Sequence, residues 1–213
     1  MADGRLTPSR EWVLLAALVA LVSALTAAER AHLIPLSILA ASPHAVAEAR
    51  VWLLLTSALL VQSPLFWSLV SFALLGAITL RVCGSRALWI SALAGHITST
   101  LSIYALLALA RALEPHAFQA VQRSPDYGVS AISAAWIGAV ASTAWRAPGR
   151  TLRGKIVTVL AVAATALVGW MLRGHVSILD LEHLVAFAIG VLVAVRTSRT
   201  PRPARLEVHV VPS

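Results

Sequence analysis

A serine hydroxyl and a histidine imidazole are the least that nucleophilic acyl chemistry requires. Ser130 lies near the start of an apolar stretch, SPDYGVSAISAAWIGAV, and His183 near the start of another, ILDLEHLVAFAIG. Asp180 precedes His183 by three residues, so on a helix the two share a face and the carboxylate could orient the ring. Ser124-Pro125-Asp126 signals a turn, and Gly128 lets the backbone bend or approach closely just before Ser130. Small residues follow at Ala131, Ala135, Gly138 and Ala139, and again at Ala186 and Gly190. Two helices with such faces can pack closely and would then bring hydroxyl and imidazole to one depth. A plainer reading stands beside this one: Ser130 as a helix N-cap or packing serine, and Asp180, Glu182 and His183 as headgroup residues on a short or tilted helix. His175, Asp180 and His183 have no recognised metal-ligand spacing, so neither a metal nor a cofactor is expected.

The elements that must position these residues are membrane helices. Of the 213 residues, 59% are apolar and 12% charged, and the mean hydropathy is +0.82. A soluble domain usually carries about 25% charged residues, and a core of this size cannot hide so much apolar surface. A hydrocarbon layer of about 30 Å takes roughly 20 helical residues. Five runs qualify or nearly so: Trp12–Ala28, Leu65–Leu80, Ala87–Ala110, Val129–Trp145 and Ile156–Leu172. A sixth, Leu184–Val195, crosses only if it extends back to Ile178, which draws Asp180, Glu182 and His183 into its outer part. The five clear runs hold one histidine, His96, and no Asp, Glu, Lys or Arg. That argues against a pump with a carboxylate relay through the membrane.

The net charge of +8 is a matter of topology, because the basic residues occupy the gaps between apolar runs; no nucleic-acid partner is expected. With the N-terminus inside, inner segments hold 12 of the 17 basic residues and outer segments hold 5, while six of nine acidic residues lie outside. The positive-inside rule then predicts six spans with both termini cytoplasmic. The expected organisation is a cytoplasmic N-terminus over 1–10, a membrane domain over 11–197 and a disordered basic tail over 198–213. The first run is too long for a signal-peptide core and lacks a small-residue cleavage site. Cys83, the sole cysteine, has no internal disulfide partner. Val51–Val61 is apolar but too short to cross, so it predicts either a membrane-embedded loop or a surface amphipathic helix.

Several short motifs, taken in order, resemble the rhomboid intramembrane serine proteases and their bacterial rhomboid-like relatives. Trp52-Leu53-Leu54-Leu55-Thr56-Ser57 resembles the W-R-L-x-T-S stretch of the loop between the first two rhomboid helices. Gly84-Ser85-Arg86 resembles the turn after helix two, and Gly128-Val129-Ser130-Ala131 the G-x-S-G that opens helix four. His183-Leu184-Val185-Ala186 and Gly190 resemble the H-x-x-G-x-x-x-G of helix six. The resemblance implies an all-α, six-helix bundle in the inner membrane, with an embedded loop between its first two helices. It implies Ser130 as nucleophile and His183 as base, and transmembrane helices of other membrane proteins as substrates.

The chain also departs from that pattern. Ala131 stands where the motif has glycine. The family's helix-two H-x-x-x-N, which helps stabilise the oxyanion, has no counterpart across Pro64–Val70, and the chain contains no asparagine. Loss of one oxyanion donor costs about 10²–10³ in rate. Ser68, Trp67 and His96 are the replacement candidates, with Gly128 and Asp180 in support. A non-cleaving rhomboid-like protein that binds membrane helices is therefore the alternative expectation. A small transporter, using the polar set His96, Thr98, Ser99, Thr100, Ser102 and Tyr104, is a third.

Overall fold

The computed structural model describes residues 10–61, 64–114, 119–147, 149, 151–152 and 178–198. The fifth apolar run, Ile156–Leu172, lies outside them, as do His175 and the tail from residue 199. Among the described residues the regular elements are all helices, joined by turns and irregular stretches, with one isolated bridge between Ala41 and Asp126.

Helix α1 spans Arg10–Arg30, with Glu11 in its first turn and Arg30 in its last, each complementing the helix dipole. A folded segment follows. It contains a 3₁₀ turn at Leu36–Ile38, α2 over Pro43–Ala47, α3 over Leu53–Thr56 and a second 3₁₀ turn at Ser57–Leu59. Ser42 caps α2, its hydroxyl accepting from the Ala45 N–H at 3.1 Å, and Pro43 takes the first helical position, where no N–H is needed. Helix α4 spans Leu65–Cys83 and α5 spans Ser85–Leu113. A single residue separates them: Gly84 at φ 86°, a conformation that side chains resist. Helix α6 covers Gln119–Arg123, α7 covers Val129–Arg146, and α8 covers Ile178–Ser198. The last is helical from Ile178, the first described residue of that stretch. Helices α1, α4 and α5 are long and apolar enough to cross a membrane.

Contacts fix the direction of each helix. Leu15 packs on Gly76, while Thr26, nearer the end of α1, accepts the Val61 N–H at 3.2 Å just ahead of α4. Helices α1 and α4 are thus antiparallel. Tyr104 bonds Asp126 before α7, and the Trp136 indole N–H donates to the Leu88 carbonyl at 3.0 Å, so α5 and α7 are antiparallel too. Thr100 meets Glu182, and Gly95 lies 3.9 Å from the Ala186 carbonyl by its missing Cβ. Helix α8 therefore also opposes α5, and α7 and α8 run parallel to each other.

Two packing features hold this arrangement. Phe72 of α4 stacks on Trp136 of α7 with centroids 4.8 Å apart, within a core that includes Leu15, Val22, Leu80 and Leu88. Such a pair adds about 0.5–1.5 kcal/mol beyond the area it buries. Between α7 and α8 the contact is backbone to backbone: Gly138 sits on the Phe187 carbonyl and Gly190 on the Ala135 carbonyl. The small-residue faces expected from the sequence do meet. In lipid, where apolar side chains gain little by leaving their solvent, such close approach is a main source of helix association.

The segment 31–61 folds over the end of the bundle where α1 and α5 finish and α4, α7 and α8 begin. It does not lie apart as a surface helix. Leu53, Leu54, Ser57 and Leu60 are buried, and its irregular backbone is paired with the protein. The Thr56 hydroxyl donates to the Leu39 carbonyl at 2.8 Å, and the Asp126 N–H donates to the Ala41 carbonyl at 2.8 Å.

Candidate functional site

Of the candidates named from the sequence, Ser130, His183, Asp180, Gly128 and His96 belong to α5, α7, α8 or the turn before α7, and Ser68 and Trp67 belong to α4. Ser130 is exposed in the first turn of α7, its hydroxyl donating to the Tyr127 carbonyl at 3.3 Å. His183 and Asp180 are half-buried and both make polar contacts. The directions derived above set the levels. Thr100 of α5 stands beside Glu182, and Gly95 lies beside both Ala135 and Ala186. Counting back from Ala135 and Ala186 along two parallel helices sets the Ser130–Ala131 turn level with Glu182 and His183. Ala131, Ala135 and Ala186 form one buried cluster at that seam.

Gly128 is needed for space. Its φ is an ordinary −74°, but a Cβ would run into the His96 ring, 2.6 Å from Nδ1, and would sit 2.8 Å from the Ala58 Cα. Its N–H donates to the Ser57 carbonyl at 2.9 Å. Gly128 thus lets the α7 turn sit between the folded segment and His96, and its own N–H is already occupied.

His96 is 1% exposed and is the centre of a buried polar cluster. Its Nε2 lies 2.7 Å from the Leu54 carbonyl and 3.3 Å from Ser57 Oγ; its Nδ1 lies 3.4 Å from Thr100 Oγ1. Thr100 Oγ1 is in turn 2.8 Å from Glu182 Oε1. A carbonyl oxygen can only accept, so Nε2 carries a hydrogen. Ser57 consequently faces an N–H and no lone pair, and it is fully buried as well. This serine–histidine contact is a strut between segment and bundle, and it lacks the features of a nucleophile and its base.

The second buried carboxylate is Asp126, which accepts from the Tyr104 hydroxyl at 3.1 Å. Burial raises its pKa above the ordinary aspartate value, against the opposing effects of the His96 charge and the Tyr104 hydrogen bond. The pKa of Tyr127, next along the turn, is likewise raised, first by burial and then by the Glu29 carboxylate. Ser68 sits half-buried in the first turn of α4, and among the described residues its hydroxyl bonds none of Ser130, His183 and His96.

The sequence reading placed His96 and Thr100 in one polar set but tied neither to Glu182 or Ser57. Thr100 lies one helical turn after His96 and on the same face, a spacing that is legible in the sequence. Glu182 was visible only as one of three polar residues at the start of α8, and nothing in its spacing ties it to α5. Among the described residues no group of three or more His, Cys, Asp or Glu is placed to hold a metal. No family model matches the sequence, and neither a curated protein nor a solved structure matches it significantly.

Proposed function

We propose that this chain is a rhomboid-like integral membrane protein that cleaves transmembrane segments of other membrane proteins near their outer ends. In this reading Ser130 is the nucleophile and His183 the general base. One observation carries it: Ser130 is accessible in the first turn of α7, level with His183 on a parallel helix packed backbone to backbone against it. The serine Oγ forms a bond to the substrate carbonyl carbon while its proton passes to the imidazole. The amine leaves with that proton, and water then hydrolyses the acyl-enzyme. Helix geometry supports an oxyanion site, because N–H groups of a first turn have no partner within the helix. The bias of basic residues toward the inner segments supports six crossings with both termini cytoplasmic in the inner membrane.

A non-cleaving protein that binds membrane helices is the second reading. The Ser130 hydroxyl turned to the Tyr127 carbonyl favours it, as does the absence of a helix-two His and Asn. A fluorophosphonate probe decides between them on the full-length chain in proteoliposomes. Cleavage chemistry predicts labelling that is lost in Ser130→Ala and in His183→Ala. If the folded parent takes no label, the protease reading fails and the binding reading stands. The hydroxyls of α5 count against a transport path, since Ser99 and Ser102 donate to the carbonyls of His96 and Thr98 on their own helix.

A further inference from the structure

The contacts of the His96 imidazole, the Thr100 hydroxyl and the Glu182 carboxyl allow few placements of hydrogen. Nε2 donates to Leu54, as argued above. Thr100 has one hydrogen and stands between two groups, Nδ1 at 3.4 Å and Oε1 at 2.8 Å. With one proton to share, two arrangements leave every group paired. In one, protonated Glu182 donates to Thr100, and Thr100 donates to a lone pair on Nδ1. In the other, Nδ1–H donates to Thr100, and Thr100 donates to the Glu182 carboxylate. Both hold the same number of protons. Remove one, and Nδ1 presents its lone pair to an oxygen whose hydrogen points elsewhere, in a place too buried for water to help: Thr100 is 0% and Glu182 4% exposed.

We infer that His96, Thr100 and Glu182 form a binding site for one mobile proton, passed between the imidazole of α5 and the carboxyl of α8 through the threonine hydroxyl. The step balances within the three side chains. The Glu182 O–H bond breaks as its proton joins the Thr100 oxygen, and the Thr100 proton joins Nδ1. The threonine ends with one hydrogen, as it began. The surroundings are few. Asp126, held by Tyr104, acts electrostatically on both His96 and Glu182. On α8, Asp180 and His183 flank Glu182 in sequence. The folded segment offers the ring the Leu54 carbonyl and Ser57 hydroxyl, and the turn before α7 offers the Gly128 backbone. The site joins α8 at the residue before His183 to the ring that seats the Ser130 turn, and it stands whether or not Ser130 is a nucleophile.

The test uses full-length protein in nanodiscs. Imidazole nitrogen NMR reads His96, assigned by subtraction of His96→Gln. Infrared difference spectroscopy reads the carboxyl, assigned by Glu182→Gln. Glu182→Gln should change the proton affinity of His96 by about tenfold or more, the level at which two sites titrate as a pair. Thr100→Val keeps the branched shape and should abolish that coupling, so that adding Glu182→Gln changes His96 no further. Thr100→Ser keeps the hydroxyl and should match the parent, and it carries the test if Thr100→Val does not fold. The proposal is overturned if Glu182→Gln leaves His96 unchanged, if coupling survives Thr100→Val, or if Thr100→Ser uncouples the pair.

Discussion

Replacing Gly190 by alanine tests the α7–α8 seam on which the candidate site depends. By helix propensity alone the change should help, since glycine costs about 0.8–1.0 kcal/mol relative to alanine inside a helix. The packing predicts the opposite sign. The new Cβ would lie on the Ala135 carbonyl oxygen, 2.7 Å from its carbon and 3.0 Å from the Ala135 Cα. Ordinary contact begins at 3.4 Å, so even the carbon is about 0.7 Å too close. These are backbone atoms and cannot rotate aside. The helices must separate, and a gap of about 0.5–1 Å forfeits a quarter to a half of each dispersion contact along the seam. Overpacking of this kind costs about 1–3 kcal/mol, which leaves a net loss of up to about 2 kcal/mol after the propensity gain is subtracted. Gly76→Ala is the control. Its Cβ meets the Leu15 Cδ1 at 2.8 Å, the movable end of a side chain, and Trp136 ring atoms at 3.1 and 3.2 Å. It should fall much nearer to neutral. Thermal unfolding of the full-length chain in one detergent, followed by tryptophan fluorescence, compares the two. If Gly190→Ala proves as stable as the parent, or no worse than Gly76→Ala, the backbone contact between α7 and α8 is not what the structure says it is.

Gly128→Ala should destabilise the chain by about 1–3 kcal/mol, because its methyl would displace the His96 ring; His96 nitrogen resonances that keep their parent positions would contradict this. Thr56→Val removes the hydrogen bond to the Leu39 carbonyl and should cost about 1 kcal/mol in thermal unfolding, and more if that carbonyl stays buried and unpaired. Asp126 binds its proton more tightly when folded than when unfolded, so it contributes stability that is fully present below the ordinary aspartate range. That contribution is lost as pH rises through its folded value. Asp126→Asn should therefore flatten the decline of stability between the ordinary aspartate value and the raised folded one, and an unchanged stability–pH profile would refute the reading.

Much of the helical layout was legible because lipid imposes it. An apolar run of about 20 residues has few other fates, and the runs at residues 12, 65, 87 and 129 became α1, α4, α5 and α7 with their ends moved by a few residues. The α7–α8 seam was legible because small residues at Ala135, Gly138, Ala186 and Gly190 have little other use on a membrane helix. The buried cluster was not. His96 and Thr100 carry a helical spacing, but Glu182 reaches them from more than 80 positions away, and Ser57 lies in a run whose apolar residues conceal its role. Pairing across a bundle depends on helix rotation, and a single sequence with nearly uniform apolar surfaces does not specify it. The structure also brings Ser57 to His96, a contact that no spacing announced.

The length of α5 has a further consequence. Its 29 residues amount to about 43 Å at 1.5 Å each, against a hydrocarbon layer of about 30 Å. Measured from Arg86, about 20 residues carry the helix across, and the stretch from Leu107 to Leu113 projects roughly 10 Å farther. Arg111 on this projection holds Gln122 of α6 at 3.2 Å. The helix thus runs past the length that a hydrocarbon layer needs and works as a mast, with α6 tied to its projecting end.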